Sequence, residues 1–475
     1  MLRLLVLGLS IVIIAWLSAC TAVGPDYQRP SVATEINWSA PEHDNSLSEA
    51  HLSQHEFWVS FHDVTLLHLI DKANQHNPTL QSAFESIHQA QLVLQSDRAG
   101  LFPSAELTGA STYAQPTLLS ELKGTNYGAT TNQLFGQLSW ELDFWGHIRR
   151  QIESDHASVK AAMYAVKAAQ LSLEASIASS YCNLRMVEAQ IAVAQVNLSE
   201  QAEDLRIAEV RYRYGATSER DYRQAQTQYE QTQSQIPALK SALAQYQHAL
   251  SVLVGETPDY FIRHEIADAG LPELPQSLPL GAPYDLLRRR PDVMQAELNA
   301  IAQSARIGVA EAALYPSFSL TGGFGYSGTN GLSTMFQWDN RAASVGLSFT
   351  LPIFDRDRLH NLVNIQDSVF RQALLAYQNQ VLKAQQEVED ALAQMTNVRA
   401  QLAGFQRGDN AAVRSAELAL RQYRAGQTDY TTVSSAEQAH LQTSNSVVQA
   451  QGSLLQAYIS AFRAIGGGWD ESYKN

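Results

Sequence analysis

Cysteine, positive charge and turn-forming residues are scarce in this chain of 475 residues. It has 2 Cys, and 33 Lys+Arg stand against 47 Asp+Glu, for a net charge of −14. Two cysteines exclude a disulfide framework and a four-cysteine zinc site. The acidic balance argues against a nucleic-acid partner, because phosphate binding needs concentrated Lys and Arg. A run of 68 residues, from 147 to 214, contains neither Gly nor Pro, which is rare in a compact enzyme and predicts a very long helix.

The N-terminus carries an apolar stretch, Leu4–Leu17, preceded by Arg3 and followed by Ser18-Ala19-Cys20. A permanent membrane helix needs about 20 apolar residues, whereas a shorter stretch is typical of a signal peptide. The alternative is a buried hydrophobic segment. The end of the stretch resembles a bacterial lipobox, which implies a signal peptide over 1–19 and lipid attachment at Cys20, whose thiolate is a natural acceptor for a diacylglyceryl group. Thr21, in place of Asp, implies sorting to the outer membrane.

The sequence contains an internal duplication. The segment Ala99–Gly109 returns as Ala312–Gly322, with Leu-Phe-Pro-Ser in the first and Leu-Tyr-Pro-Ser in the second. Four further matches, one before this segment and three after it, occur in the same order at nearly the same offset. We therefore predict two pseudo-equivalent halves of one domain, at 61–255 and 284–466. A proline-rich connector over 256–283 joins them.

Each half has the same order of predicted elements: a helix, two strands and two long helices. The helical parts are rich in Ala, Leu and Glu, which are good helix formers. The predicted long helices cover about 147–254 and 356–465. Since a helix of this length is not stable alone, we expect it to pack against neighbouring helices.

The predicted strands cover about 104–114, 132–144, 317–327 and 342–353, and apolar residues alternate in them with small or polar ones. This pattern is what a membrane β-barrel requires, although an ordinary half-buried sheet shows the same alternation. If the strands form a barrel, the polar alternates face its lumen. The lumen-facing candidates are Glu106, Gln133, Gln137, Glu141, Asp143 and Ser348.

Four membrane strands cannot form a closed barrel. A barrel in a membrane must leave no open edge, and bacterial single-chain barrels have at least about eight strands. We therefore expect several chains to share one barrel.

Several motifs together resemble one family. They are the lipobox at Cys20, the segment Val23–Tyr27, the pair Phe57-Trp58, the duplicated Leu-Phe/Tyr-Pro-Ser segments and Leu351–Asp355. This set resembles the lipoprotein (NodT-type) branch of the TolC-type outer-membrane efflux factors.

The resemblance implies a mainly α fold with membrane β structure. Duplicated long-helix hairpins would form a trimeric α-helical barrel in the periplasm, and four strands per chain would contribute to a twelve-stranded transmembrane β-barrel. It places 20–60, the connector and a C-terminal tail at 467–475 in an equatorial belt. The implied partners are two further copies, outer-membrane lipid, a periplasmic adaptor (membrane fusion) protein and an inner-membrane transporter, usually of the resistance-nodulation-division (RND) class.

The resemblance also implies that the periplasmic end is formed by two tight helical turns and opens when the adaptor docks. The candidate tip and gate residues are Tyr214, Gly215, Arg220, Asp221, Tyr423, Arg424, Gly426 and Asp429. The family usually carries Leu-Asp-Ala in the second repeat, where this chain has Ser434-Ser435-Ala436. Ser435 thus replaces the usual gate aspartate. The alternative is that these polar residues only solvate a helical hairpin.

No motif for catalysis, metal binding or cofactor binding stands out. Residues 323–328 fit G-x-G-x-x-G, but the helix that a dinucleotide site needs does not follow. The histidines show no HExxH pattern. We expect no enzyme, no cofactor and no metal, and a passive exit duct for small molecules as the function. A type I secretion duct for proteins and a structural coiled-coil lipoprotein are the alternatives.

Overall fold

The computed structural model describes residues 22–31, 47–48, 54–115, 129–264, 266, 270–275, 278–279, 289–329 and 331–467. The predicted signal peptide, Cys20, the tail from 468 and part of the connector lie outside these residues. The chain divides into two compact units. The sheet unit comprises the described residues within Met1–Ser31, Glu85–Met163 and Gln295–Gln378, and the helical unit those within Val32–Phe84, Tyr164–Met294 and Asn379–Asn475.

Both halves contain a helix, two sheet strands and two long helices in the same order, and further short elements differ between them. The first contains β1 (Leu47–Ser48), α1 (Gln54–Val59), α2 (Val64–His76), α3 (Pro78–Ala99), β2 (Ser104–Ala114), β3 (Ala129–Leu142), α4 (His147–Arg213), α5 (Glu219–Leu253) and α6 (Tyr260–Arg263). The second contains β4 (Leu278–Pro279), α7 (Pro291–Ala312), β5 (Ser317–Gly328), α8 (Leu332–Met335), a 3-10 turn (Trp338–Asn340), β6 (Arg341–Thr350), α9 (Arg356–Arg424) and α10 (Tyr430–Ala464).

The long helices are continuous. The helix α4 has 67 residues and is about 100 Å long at 1.5 Å per residue. Its ends lie beside Gly146 and Gly215, whose positive φ values of 79° and 71° suit the left-handed conformation that glycine adopts at helix boundaries. None of the described helices carries an apolar stretch long enough to cross a membrane.

The sheet unit contains an antiparallel sheet in the order β2-β3-β5-β6. Within β3, pairing with β5 reaches Leu142, opposite Phe318, so this strand stops two residues short of the predicted 144. The strand β6 ends at Thr350, opposite Ser317, and not at 353. Pro352 has no N–H to donate to a ladder, which is consistent with the earlier end.

The segment 22–31 is held tightly in the sheet unit. The Val23 N–H donates to Trp145 O at 3.0 Å, and the Arg150 guanidinium donates to Val23 O at 2.9 Å and to Gly24 O at 3.0 Å. Near its end, Arg29 forms a bidentate ion pair with the buried Glu297. These contacts fix the chain immediately after the predicted lipidation site.

The main core of the helical unit is formed where α1 and α2 pack against the long helices. Phe57 stacks on Phe462 with ring centroids 3.6 Å apart, and the Trp58 indole N–H donates to the buried Glu174 carboxylate at 2.7 Å. The free thiol of Cys182 lies in the same core, where burial raises its pKa to about 12. Cys182 is therefore a packed, unreactive thiol.

Candidate functional site

The two faces of the four-stranded sheet differ in polarity, as the alternation predicts. Glu106 lies opposite Gln137, and Glu141 lies opposite Ser319, which in turn lies opposite Ser348. The Ser319 and Ser348 hydroxyls are 2.8 Å apart. Because paired residues share a face, the register places Glu106, Gln133, Gln137, Glu141 and Ser348 on one polar face.

The other face carries large apolar side chains that are exposed in the single chain. Val345 is 86% exposed, and Leu107, Leu347 and Phe349 are exposed to a similar extent. An exposed apolar face of this size marks a surface that needs an apolar environment or a partner. No described strand pairs with the outer edges of β2 and β6, so the sheet offers two open edges for pairing.

Asp143, also predicted to face the lumen, lies outside the strand. Its carboxylate accepts hydrogen bonds from the backbone N–H groups of Ile148 and Arg149, each at 3.0 Å. It also pairs with the Arg149 guanidinium at 3.1 Å. Asp143 therefore satisfies free N–H groups in the first turn of α4, where a negative charge is favourable, and does not continue the alternation of β3.

The two helical turns have the same backbone geometry, 211 residues apart. In the first, Gly215 N donates to Tyr212 O and Ala216 N donates to Arg211 O, the pair of hydrogen bonds that ends a helix with a left-handed residue. Gly426, with a φ of 74°, heads the same bonding pattern in the second turn. Ser218 and Asp429 then cap α5 and α10.

The predicted tip residues divide into exposed and buried ones. Tyr214 is 85% exposed. Arg220 is also exposed and reaches Asp221 at 3.6 Å and Asp429 at 3.3 Å. Asp221 itself is buried and accepts a hydrogen bond of 2.5 Å from the Thr217 hydroxyl.

Tyr423 is buried in a small apolar cluster to which all four long helices contribute. We call this the tip cluster; it consists of Ala208, Ala225, Ala419, Tyr423, Tyr430 and Val433. The rings of Tyr423 and Tyr430 meet edge to face at 5.4 Å. Burial raises the pKa of both phenols, so both remain neutral.

Arg211, which the sequence did not single out, ties the two helical hairpins together. Its guanidinium donates to Tyr423 O at 2.6 Å and to Arg424 O at 3.2 Å, and it lies 4.8 Å from the Tyr423 ring centroid. A cation placed on the last carbonyls of a helix is favourable. The signal was its position: Arg211 directly precedes the Tyr212-Arg213-Tyr214-Gly215 turn motif.

Asp204 and Glu437 are two further candidate residues, and no sequence motif marks them. Asp204 is buried in α4, and Arg424 approaches it at 3.8 Å. Each carboxyl lies eleven residues from a turn glycine, Asp204 before Gly215 and Glu437 after Gly426. This equal distance places them at one level of two similar hairpins and could have revealed the pair.

Among the described residues, no group of three or more His, Cys, Asp or Glu side chains could hold a metal ion. The sheet presents a polar face with carboxylates, and the turns present a closed polar and aromatic contact between hairpins.

Comparison with known proteins places both regions in one family. The family model described as "Outer membrane efflux protein" matches residues 69–256 and again residues 282–467. The probable outer membrane lipoprotein SilC of Salmonella typhimurium is 28% identical over 473 residues, which are 99% of this chain and 100% of SilC. The cation efflux system protein CusC of Escherichia coli K12 is 27% identical over 455 residues, covering 95% of this chain and 97% of CusC.

The fold is also that of solved outer-membrane channels. The structure of the outer-membrane channel OprN superposes with a TM-score of 0.87 at 28% sequence identity, and the match covers 94% of this chain and 99% of OprN. The mainly helical fold with one four-stranded sheet per chain, predicted from the sequence, is confirmed.

Proposed function

This chain belongs to the outer membrane efflux protein family, and we propose that it forms the exit duct of a tripartite efflux pump. It lies in the outer membrane and extends into the periplasm. The observation that carries the proposal is the four-stranded sheet, which combines an exposed apolar face, a polar face and two edges that no described strand covers.

Closure of the sheet requires further copies of the chain. Three copies contribute twelve strands, and pairing the β6 edge of one copy with the β2 edge of the next leaves no open edge in the membrane. A barrel of this size leaves an aqueous lumen lined by the polar face. The chain acts as a homotrimer that works with a periplasmic adaptor and an inner-membrane transporter.

The duct is passive and carries out no reaction. The transporter supplies the energy and selects the cargo, and the duct opens at its periplasmic tip when the adaptor docks. Small molecules are the proposed cargo. CusC, similar over nearly its whole length, is named for cation efflux, and the two carboxylates on the polar face, Glu106 and Glu141, fit cationic cargo.

We further propose that Cys20 is the lipid attachment site of the mature chain. SilC is described as a probable outer membrane lipoprotein, and the segment after residue 21 is fixed by Arg150 and Glu297. Metabolic labelling with palmitate tests this. The wild type should be labelled and Cys20→Ala should not, and equal labelling of both would contradict the assignment.

Efflux in cells tests the function itself. A strain lacking the gene should accumulate a fluorescent cationic dye, the wild-type gene should restore efflux, and the adaptor should co-purify with the tagged wild-type trimer. An unchanged dye level in the deletion strain, together with secretion of a protein substrate that depends on the gene, would favour a type I secretion duct instead. If neither effect is observed, the structural coiled-coil lipoprotein remains as the hypothesis.

A further inference from the structure

Asp204 of the first hairpin and Glu437 of the second are neighbouring carboxyl residues near the turns. Asp204, on α4, is only 3% exposed, and Glu437, on α10, is half-buried. The two carboxyls are close enough for each to influence the pKa of the other. No N–H or O–H donor among the described residues reaches Asp204 Oδ1 or Glu437 Oε2 within hydrogen-bond distance. Two neighbouring carboxyls with buried oxygens that no other donor reaches favour binding one proton between them.

Few groups around the pair could stabilise the two carboxyls in place of that proton. Arg424, on α9, is the cation that approaches Asp204, but at 3.8 Å it is beyond hydrogen-bond distance. Glu200 adds a further negative charge from α4. The Tyr430 hydroxyl, on a fully buried side chain of α10, makes no hydrogen bond with any described residue, so it is not a donor to the pair in this arrangement.

The other charged groups around the pair do not change this balance. Glu203 adds negative charge near Asp204, but Arg206 pairs with it. The negative charge of Asp221, on α5, contributes to the raised pKa of the neighbouring Tyr423 phenol.

Burial and the neighbouring Asp204 carboxyl raise the pKa of Glu437 to about 9, and burial also raises the pKa of Asp204. The pair therefore holds one proton at neutral pH. If the hairpins separate and water reaches the carboxyls, their pKa values return to the ordinary range and the proton is released. The closed arrangement of the hairpins, in which the pair holds its proton, is stabilised at low pH. This stabilisation decreases as the pH rises from the ordinary carboxyl range toward about 9.

We propose that the Asp204–Glu437 carboxyl pair is a proton-dependent latch that holds the two hairpins of one chain together and gives up its proton when the tip opens. This inference rests on the proposed function, because it assigns the pair a part in opening the channel. The duplication does not repeat this carboxyl pair at the equivalent positions. The positions that correspond to Glu437 and Asp204 in the other repeat, at an offset of 211, are Gln226 and Ser415.

Single-channel recording tests the latch. The purified trimer is placed in a planar bilayer and the periplasmic side is brought from about pH 6 to about pH 8. Since each proton released changes an opening equilibrium by up to tenfold per pH unit, the open probability of the wild type should rise by about tenfold or more. Glu437→Gln keeps a hydrogen-bond donor but cannot ionise, so its open probability should stay low and independent of pH.

Two further variants complete the experiment. Glu230→Gln, which removes an exposed carboxylate from α5, should keep the pH response of the wild type. Arg211→Ala, which removes the bonds to Tyr423 O and Arg424 O, should conduct at every pH. The latch is wrong if Glu437→Gln responds to pH as the wild type does, or if the wild type shows no response while Arg211→Ala conducts. If no variant conducts, the proposed function fails together with the latch.

Infrared spectroscopy decides the matter if Glu437→Gln does not assemble. A protonated carboxyl has a C=O stretch that a carboxylate lacks, so the wild-type trimer should lose such a band between about pH 7 and about pH 10. The absence of that loss in the wild type would also overturn the latch.

Discussion

Leu347 and Ser348 are consecutive residues of β6 whose side chains lie on opposite faces of the sheet, Leu347 opposite Leu320 and Ser348 opposite Ser319. The first lies on the exposed apolar face and the second on the polar face. If the apolar face contacts lipid, a charge introduced at Leu347 faces outward and a charge introduced at Ser348 faces inward. Substitutions at these two neighbouring positions can therefore be compared directly.

A single arginine at each position should give different results. On the lipid face of a barrel strand, Arg costs about 2–4 kcal/mol at the midplane of the bilayer, so Leu347→Arg should reduce the amount of assembled, heat-resistant trimer in outer-membrane preparations. Ser348→Arg should assemble normally and change conductance. Equal assembly of both variants would contradict the assignment of the faces.

The strand faces and the helical turns were predictable because each depends on a local pattern. Alternation over about ten residues decides which side chains share a face, and the glycine in each Tyr-Arg-x-Gly segment marks a turn that needs a positive φ. Asp143 was misplaced because the alternation of β3 continues in the sequence after its ladder has ended at Leu142. The hydrogen bonds of Asp143 to Ile148 and Arg149 could not be predicted from alternation.

Buried polar contacts between distant residues were not predictable. Glu174, Asp204 and Glu437 lie in helices rich in Ala and Gln, where a carboxylate has the sequence pattern of a solvated face. Their partners lie in other helices, and the spacing of residues along the sequence does not indicate which carboxylate becomes buried. The same holds for Arg211, whose acceptor at Tyr423 is 212 residues away.

The buried Glu174 carboxylate should stabilise the helical unit. It accepts hydrogen bonds from Trp58 at 2.7 Å, from Asn74 at 2.9 Å and from Gln170 at 3.1 Å. Glu174→Ala leaves these donors without an acceptor and should lower the free energy of unfolding by about 2–3 kcal/mol, visible as a lower thermal midpoint. Glu417→Ala, which removes an exposed ion pair with Arg414, should cost under about 1 kcal/mol. Equal midpoints for the two variants would contradict this role.

Two glycine-to-alanine changes should act in opposite directions. A Cβ at Gly308 would lie 2.7 Å from Val23 O and 2.9 Å from Arg150 Cγ, whereas one at Gly404 meets nothing within 4 Å. Gly308→Ala should therefore displace residues 22–31, at a cost of about 1–3 kcal/mol. Hydrogen exchange at the Val23 amide should become faster.

Gly404→Ala serves as the control, because Gly404 lies inside the helix α9. It should leave that exchange unchanged and stabilise the helix by about 0.5–1 kcal/mol. Unchanged exchange in Gly308→Ala would show that the segment is not held at this contact.

The carboxylates of the polar face should make the pore selective for cations. Among the described strand residues, this face carries Glu106 and Glu141 and no Lys or Arg. The double change Glu106→Gln and Glu141→Gln should move the reversal potential in a salt gradient toward zero. Gln137→Glu, which adds a carboxylate opposite Glu106, should move it the other way. Anion selectivity of the wild type would contradict the assignment.

The most direct test of the gated channel is a comparison of single-channel currents from the wild-type trimer and from Arg211→Ala at one pH in a planar bilayer. Arg211 joins the first hairpin to Tyr423 O and Arg424 O of the second, so its removal should loosen the tip without altering the strands. The account predicts rare, brief openings of the wild type and long openings of Arg211→Ala. No current from either protein, although both are assembled as trimers in the bilayer, would contradict it.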